Sequence, residues 1–300
     1  MDPSLYPFDL AFSETGGYAR FPFMYDGGPV SLAGGAAAPS CLISARAAGN
    51  LRFNPPPDRH GPDPQDKTPA GQDPAGVHGP AREAFFRSLG AAPAAVYSLV
   101  QIHSRRVFAL ESPPAGGPAE FVREGDGIVS FFPGLFLALT VADCLPVFLL
   151  DLQRGFFAAL HSGWKGTGIV LRALALLQER GTRPEETAAV LGPCIQSCCY
   201  RVDQERAAAF QAEFGASSPH VPRETPCPLG ESAVYRSGPS CQEGWYLGLQ
   251  AANARLLAGA GVRNIAYCRN CTFTDKRLGS YRREGALYTR MAAMAGPFSL

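Results

Sequence analysis

Histidine is scarce in this chain, with five residues in 300, and tryptophan scarcer still, with two. Charge of one sign is missing as well: 27 Lys and Arg against 26 Asp and Glu leave a formal net charge of +1. Such a balance gives nothing to steer the protein towards nucleic acid or an anionic membrane. No basic stripe interleaved with aromatics occurs, which argues against a nucleic-acid binder. The longest apolar runs are broken by Asp143, Gln153 and Arg154, so none is long enough to cross a bilayer. The first twenty residues carry Asp2, Asp9 and Glu14, with no early Lys or Arg ahead of a hydrophobic run, unlike a signal peptide. Paired CxxC motifs, an HExxH helix, a Rossmann glycine pattern and a Walker GK[ST] are all missing. The nine cysteines are odd in number, in a chain long enough to fold without staples, and suit reduced thiols and a cytoplasmic location.

What is present is an ordinary globular composition, 46% hydrophobic and 18% charged. The centre of the chain is Leu135–Gly168. Two apolar runs, Leu135–Val141 and Leu145–Leu152, flank Ala142-Asp143-Cys144, and a third, Gly155–Leu160, stops at His161. Short Phe-, Val- and Leu-rich runs of this kind predict buried strands. Asp143 and His161 beside such walls need partners, because an unpaired buried polar group costs ~1–3 kcal/mol.

Elsewhere, Val96–Leu110 alternates like a strand with His103 in its middle. Helices are expected at Ala81–Leu89, Ile169–Arg180, Asp203–Phe214 (capped by Asp203) and Leu247–Ala260, with a strand at Val262–Cys268. Pro55–Pro80 holds eight prolines and one sizeable apolar residue, Val77, and predicts a flexible insertion over 55–80. A second irregular insertion is expected over 217–243. His60, His78 and His220 fall in these stretches and carry no assigned role. The whole, 1–300, reads as one domain.

His103, Cys144 and His161 form a possible N/S ligand set with a fourth position open, as catalytic zinc uses; a buried thiol beside two locally bonded histidines is the alternative. The segment His161–Gly168 (HSGWKGTG) is a glycine-rich strand-to-helix turn, either a phosphate seat to which Lys165 adds charge or simply a tight turn. Leu191–Val202 reads as a turn-rich connection; its vicinal pair Cys198-Cys199 would, in a strand, point to opposite faces, and the lone Cys268–Cys271 CxxC has no second pair, so both read as structural. Ser280–Glu284 concentrates guanidinium groups.

Taken together, Gln101-Ile102-His103, Thr140–Val147 (TVADCLPV), Leu160–Gly166 (LHSGWKG), Gly192–Tyr200 (GPCIQSCCY), Asn253, and Cys271-Thr272 followed by Ser280–Arg283 (SYRR) resemble the YfiH/DUF152 proteins, the laccase-domain or polyphenol-oxidoreductase family. The resemblance implies an α+β fold, mixed β-sheets packed with helices in a layered single domain. It implies a Zn2+ site of His103, Cys144 and His161, and a purine nucleoside phosphorylase and adenosine deaminase acting on adenosine, inosine, guanosine or methylthioadenosine with phosphate. Copper-oxidase chemistry fits the sequence poorly, because a multicopper site needs many histidines and two are well placed. Under this reading Cys144 and His161 sit at the reaction centre and Asp143 shuttles a proton or orients a ligand, while Arg46, Lys165 and Arg282 bind phosphate. This chain departs from the family pattern at Ser104, at Lys165 and in the loose Ala45–Ala48 block. Two rivals use the same residues: a Cys144 thiolate activated by His161 that cleaves an amide in peptidoglycan precursors, or a zinc-stabilised binding module without activity.

Overall fold

The computed structural model describes residues 3–32, 38–52, 79–215, 217–218, 232–236 and 243–298. The insertion expected at 55–80, with His60 and His78, falls almost wholly outside the described residues, and so do His220 and most of 217–243.

Two sheets lie face to face. The larger has seven strands in the spatial order Ser4–Phe8, Asn264–Cys268, Thr187–Leu191, Leu145–Asp151, Phe157–Ser162, Gly127–Ser130 and Val107–Leu110. The smaller has five: Tyr18–Pro22, Ser40–Ser44, Met291–Gly296, Phe136–Val141 and Val96–Tyr97. Each contains both parallel and antiparallel pairs.

The continuous apolar runs follow from burial on both faces. In Leu145–Asp151, Phe148 and Leu150 point at the five-stranded sheet and pack with Leu137, Leu139 and Met291. Val147 and Leu149 point the other way, against Ile169, Leu174 and Leu257 of the helices Ile169–Glu179 and Leu249–Gly259. The outer face of the five-stranded sheet is covered by Phe86 of helix Pro80–Ser88. The result is four layers, helix–sheet–sheet–helix, the mixed α+β arrangement expected. The helix after Asp203 spans Gln204–Phe214, and the Asp203 side chain accepts from the Arg206 N–H as an N-cap. Among the described residues no helix is long and apolar enough to cross a membrane.

Val96–Leu110 is not one strand. Val96–Tyr97 belongs to the five-stranded sheet and Val107–Leu110 to the seven-stranded sheet, and the chain crosses between them through a loop that carries His103. Apolar alternation lapses over His103-Ser104-Arg105-Arg106, and this polar run, with Ile102 and His103 exposed, is the crossing. The backbone reverses at His103, whose φ is +58°. The third apolar run also extends further than expected, to Ser162, so His161 lies inside its strand.

Arg82 anchors the outer helix from within. Its side chain is buried and donates to Leu51 O (3.1 Å), Thr140 Oγ1 (3.0 Å) and Ser98 Oγ (3.0 Å), with the guanidinium over the Phe86 ring. Burial pulls its pKa down to about 9, so it is still charged at neutral pH. Arg82→Ala strands three acceptors beside a cavity, and we expect a loss of ~2–4 kcal/mol in chemical denaturation.

Candidate metal centre

The register of the seven-stranded sheet assembles the site. Leu145 pairs with Ser162 and Pro146 with His161, so the antiparallel ladder sets Cys144, one residue before its strand, opposite Gly163. On the other side Leu160 pairs with Gly127, and the next step sets His161 against Asp126, whose carbonyl accepts the His161 N–H at 2.7 Å.

Asp126 is the residue missed by the sequence analysis. It is fully buried, and its carboxylate accepts from the backbone N–H groups of Ile102 (3.3 Å), His103 (3.0 Å) and Ser104 (2.6 Å), and from Ser104 Oγ (2.7 Å). It also lies 2.8 Å from His161 Nδ1. A carboxylate only accepts, so Nδ1 carries the proton and Nε2 is the nitrogen left for other partners. Burial alone would raise the Asp126 pKa, but the bonds from His161 and Ser104 outweigh it and hold the group below the usual carboxylate range. The signal in the sequence was one acid, Asp126, in front of the buried strand Gly127–Ser130.

The crossing loop pinned by Asp126 brings His103 beside His161, ring centroids 4.9 Å apart at 74°. One ligand-type atom from each of His103, Cys144 and His161 lies within 4.8 Å of the others. His103 is exposed, Cys144 half-buried and His161 buried, so the trio opens on its His103 side. Gly163 leaves room for this approach: a Cβ there would stand 3.0 Å from Cys144 Sγ and 3.4 Å from His103 Cδ2, tighter than ordinary contact. Two imidazoles and one thiol match the donors that zinc takes, and a three-residue set leaves a further position for a reactant. Among the described residues no other His, Cys, Asp or Glu joins this group.

Burial alone would raise the Cys144 pKa, but His161 and His103 overcome it and bring the thiol down to about 6. His161 responds in the opposite sense: burial disfavours its cation, but Cys144 and Asp126 raise it to about 10. Without an ion, the pair is therefore a thiolate beside an imidazolium at neutral pH.

Asp143 also adopts a left-handed backbone, φ +85°, so it does not alternate with Cys144 as a strand residue would. Its carboxylate turns away and accepts from Thr272 Oγ1 (2.6 Å) and the Arg282 N–H (2.7 Å). Burial raises its pKa against those bonds. The three expected phosphate binders are not brought together. Arg46 lies 3.4 Å from Glu284 Oε1, and Lys165 is exposed beside Trp164. Arg282 donates to Arg201 O (2.6 Å) and lines a cleft of about 400 Å³ with Arg201, Val202, Asp203 and Arg206. Arg206 and Arg201 in this cleft were not anticipated. Arg206 lies over Trp164, 4.7 Å from the ring centroid, and Arg282 over Tyr200, 5.5 Å from its centroid. Burial raises the Tyr200 phenol pKa, and the negative charge of Cys144 adds to the shift.

Residues 68–296 match the family model described as multi-copper polyphenol oxidoreductase laccase. A purine nucleoside phosphorylase of Deinococcus radiodurans is 34% identical over 217 residues, covering 72% of this chain and 75% of its own. Another, from Corynebacterium glutamicum, is 33% identical over 199 residues, covering 66% and 72%. Among solved structures, YfiH of Bacillus licheniformis superposes with a TM-score of 0.63 at 25% identity, over 86% of this chain and 92% of that one. YlmD of Geobacillus stearothermophilus gives a TM-score of 0.68 at 24% identity, over 97% and 100%. Its YfiH-like layers, and a family-model match that spans most of its length, make this chain a member of the multi-copper polyphenol oxidoreductase laccase family, the YfiH/DUF152 proteins.

Proposed function

We propose that this chain is a zinc-dependent purine nucleoside enzyme that phosphorolyses adenosine, inosine, guanosine or methylthioadenosine and deaminates adenosine. The observation that carries the reading is the convergence of His103, Cys144 and His161 at one open edge of the sheet. The names of the relatives supply the substrate class.

Zinc would be held by His103, Cys144 and His161 and, when bound, would supply a Lewis acid at the reaction centre. The chain's own groups account for binding and orientation. Asp126 fixes His103 and His161. Arg206 and Arg282, with Arg201 beside them, line a cleft that suits phosphate, and the Trp164 and Tyr200 rings beneath the Arg206 and Arg282 guanidinium groups hold those cations in place. In phosphorolysis a phosphate oxygen bonds to C1′ of the ribose as the C1′–N9 bond breaks, and the departing purine takes a proton. Guanidinium groups beside the phosphate hold the nucleophile against the positive charge that develops on the sugar. Asp143, with both oxygens already accepting, acts as a positioning residue for Thr272 and Arg282 rather than as a proton shuttle. Arg46, paired with Glu284, braces the loop ahead of Arg282, and Lys165 lies at the rim beside Trp164.

A second reading has its own observation in the lowered pKa of Cys144: the thiolate attacks an amide with His161 as its partner.

Purified protein offered a panel of nucleosides with and without phosphate is expected to release free purine only when phosphate is present, and to convert adenosine to inosine in either case. His103→Ala is expected to lose both bound zinc and turnover; turnover retained without metal would contradict the proposal. Gly163→Ala pushes a methyl against Cys144 Sγ and is expected to weaken zinc binding in a competition titration by displacing that sulfur.

Iodoacetamide separates the two readings by pH. In metal-free protein, alkylation of Cys144 is expected to rise through a midpoint near pH 6, below the ordinary thiol range, because its folded-state pKa is depressed. Zinc should suppress the labelling and support turnover. Full activity after chelation, abolished by alkylation, would favour the amide hydrolase.

A further inference from the structure

Of the nine cysteines, Cys227 and Cys241 lie outside the described residues, and the other seven are free. Three of these seven, none of them used by the proposed chemistry, meet at a second place. Cys198 and Cys199 sit in the turn after Gln196, not in a strand, so the backbone does not send their side chains apart. Their Sγ atoms are 3.4 Å from each other, and both lie within 4.8 Å of Cys271 Sγ. The lone CxxC therefore splits: Cys271 turns to the vicinal pair, while Cys268 is buried in the core between the sheets.

We propose that Cys198, Cys199 and Cys271 form a second cation site, a trithiolate cradle for one thiophilic d10 cation of the zinc or cuprous class. The geometry suits such an ion. Three sulfurs at ~2.3 Å from a common centre with tetrahedral to trigonal angles must lie roughly 3.8–4.0 Å apart. Cys198 and Cys199 at 3.4 Å, with Cys271 within 4.8 Å of both, stand close to that spacing before any ion draws them in. The sulfurs are also reachable: Cys198 and Cys199 are half-buried and Cys271 buried, which gives the ion an entry path and an enclosed floor. Cys271 is already held as a sulfur acceptor, 3.4 Å from the Gln196 N–H. An all-sulfur set selects soft ions over magnesium or calcium.

The cradle also ties two segments that meet behind the first trio. Cys194 and Cys271 pair as a parallel bridge, the Thr272 N–H donates to Cys194 O (3.0 Å), and the Ile195 N–H donates to Asp143 O (2.9 Å). Thr272, next to Cys271, holds the Asp143 carboxylate, and Tyr200, next to Cys199, faces the arginine cleft. A filled cradle clamps residues 194–200 to 271–272, and so braces both the floor under Cys144 and one wall of the cleft. The proposal does not depend on the nucleoside reading.

The test uses Cd2+ as the probe, followed by the ultraviolet thiolate-to-cadmium charge-transfer band, in protein reduced and handled without oxygen. A His103→Ala/Cys144→Ala protein, with the first trio disabled, is expected to bind one Cd2+ tightly and develop the band. Adding Cys198→Ser, Cys199→Ser and Cys271→Ser should remove that binding and at least three-quarters of the band. Cys198→Ser alone, at a half-buried thiol, keeps the test decisive if the multiple variant does not fold; it should lower cadmium affinity at least tenfold with the melting temperature of the metal-free protein unchanged. Zn2+ and Cu+ are then competed against Cd2+ to name the preferred ion. A band indifferent to these substitutions, or an absence of tight uptake by the His103→Ala/Cys144→Ala protein, overturns the proposal. So does a loss of two titratable thiols among these three on brief exposure to air with no gain in metal uptake on reduction, which would mark a disulfide pair instead.

Discussion

One buried carboxylate decides the geometry of this site. Asp126 gathers three consecutive backbone N–H groups, one hydroxyl and one imidazole, and does so where water is excluded. Each of these bonds to an ionised acceptor is stronger than a neutral one, and removing the acceptor would leave several buried donors unpaired. The carboxylate thus fixes two things that are far apart in sequence: the path of the loop through His103, and the tautomer of His161. Neither sheet alone would do this, because the loop is the crossing between them.

The strands provide rigidity and the exceptions to strand geometry provide aim. Among the described residues, the non-glycine positions with positive φ are Asp26, His103 and Asp143, and two of these three belong to the site. Conformations of that kind cost of order 1–3 kcal/mol and persist where neighbours over-determine them. His103 is over-determined by Asp126. Asp143 is held by Thr272, by Arg282 and, through its carbonyl, by the Ile195 N–H. The left-handed turn at Asp143 sends its carboxylate towards the 272–282 segment and frees Cys144 to face the histidines. Gly163 completes the arrangement by having no side chain in the space that Cys144 and His103 need.

Much of this was legible in the residues themselves. The runs flanking Cys144 and preceding His161 are strands because they are apolar without interruption, and they are apolar because each is covered on both faces. The Asp203 cap follows from local chemistry. The likeness of TVADCLPV and LHSGWKG to the YfiH family gave the layered fold. Less legible were features set by tertiary contact. The break in Val96–Leu110 is marked by four polar residues in succession, His103 to Arg106, but a polar run of that length says nothing of which sheet each flank joins. Asp126 carries no motif, and its importance lies in donors that converge from elsewhere. Arg206 looks like a surface residue of a helix until Trp164 and Arg282 are placed beside it. Leu191–Val202 reads correctly as a turn-rich connection, but which thiols a turn brings together depends on its tertiary path, and a turn gathers neighbours that a strand would separate.

The same constraint gives the most direct test of this account. If Asp126 sets the centre by orienting His103 and His161, then Asp126→Asn, which keeps the shape and withdraws the charge, should weaken zinc binding by roughly 10–100-fold in a competition titration. Amide exchange in residues 102–104 should quicken in parallel. Zinc affinity within twofold of the parent, with those amides still protected, would contradict the claim that this carboxylate organises the site.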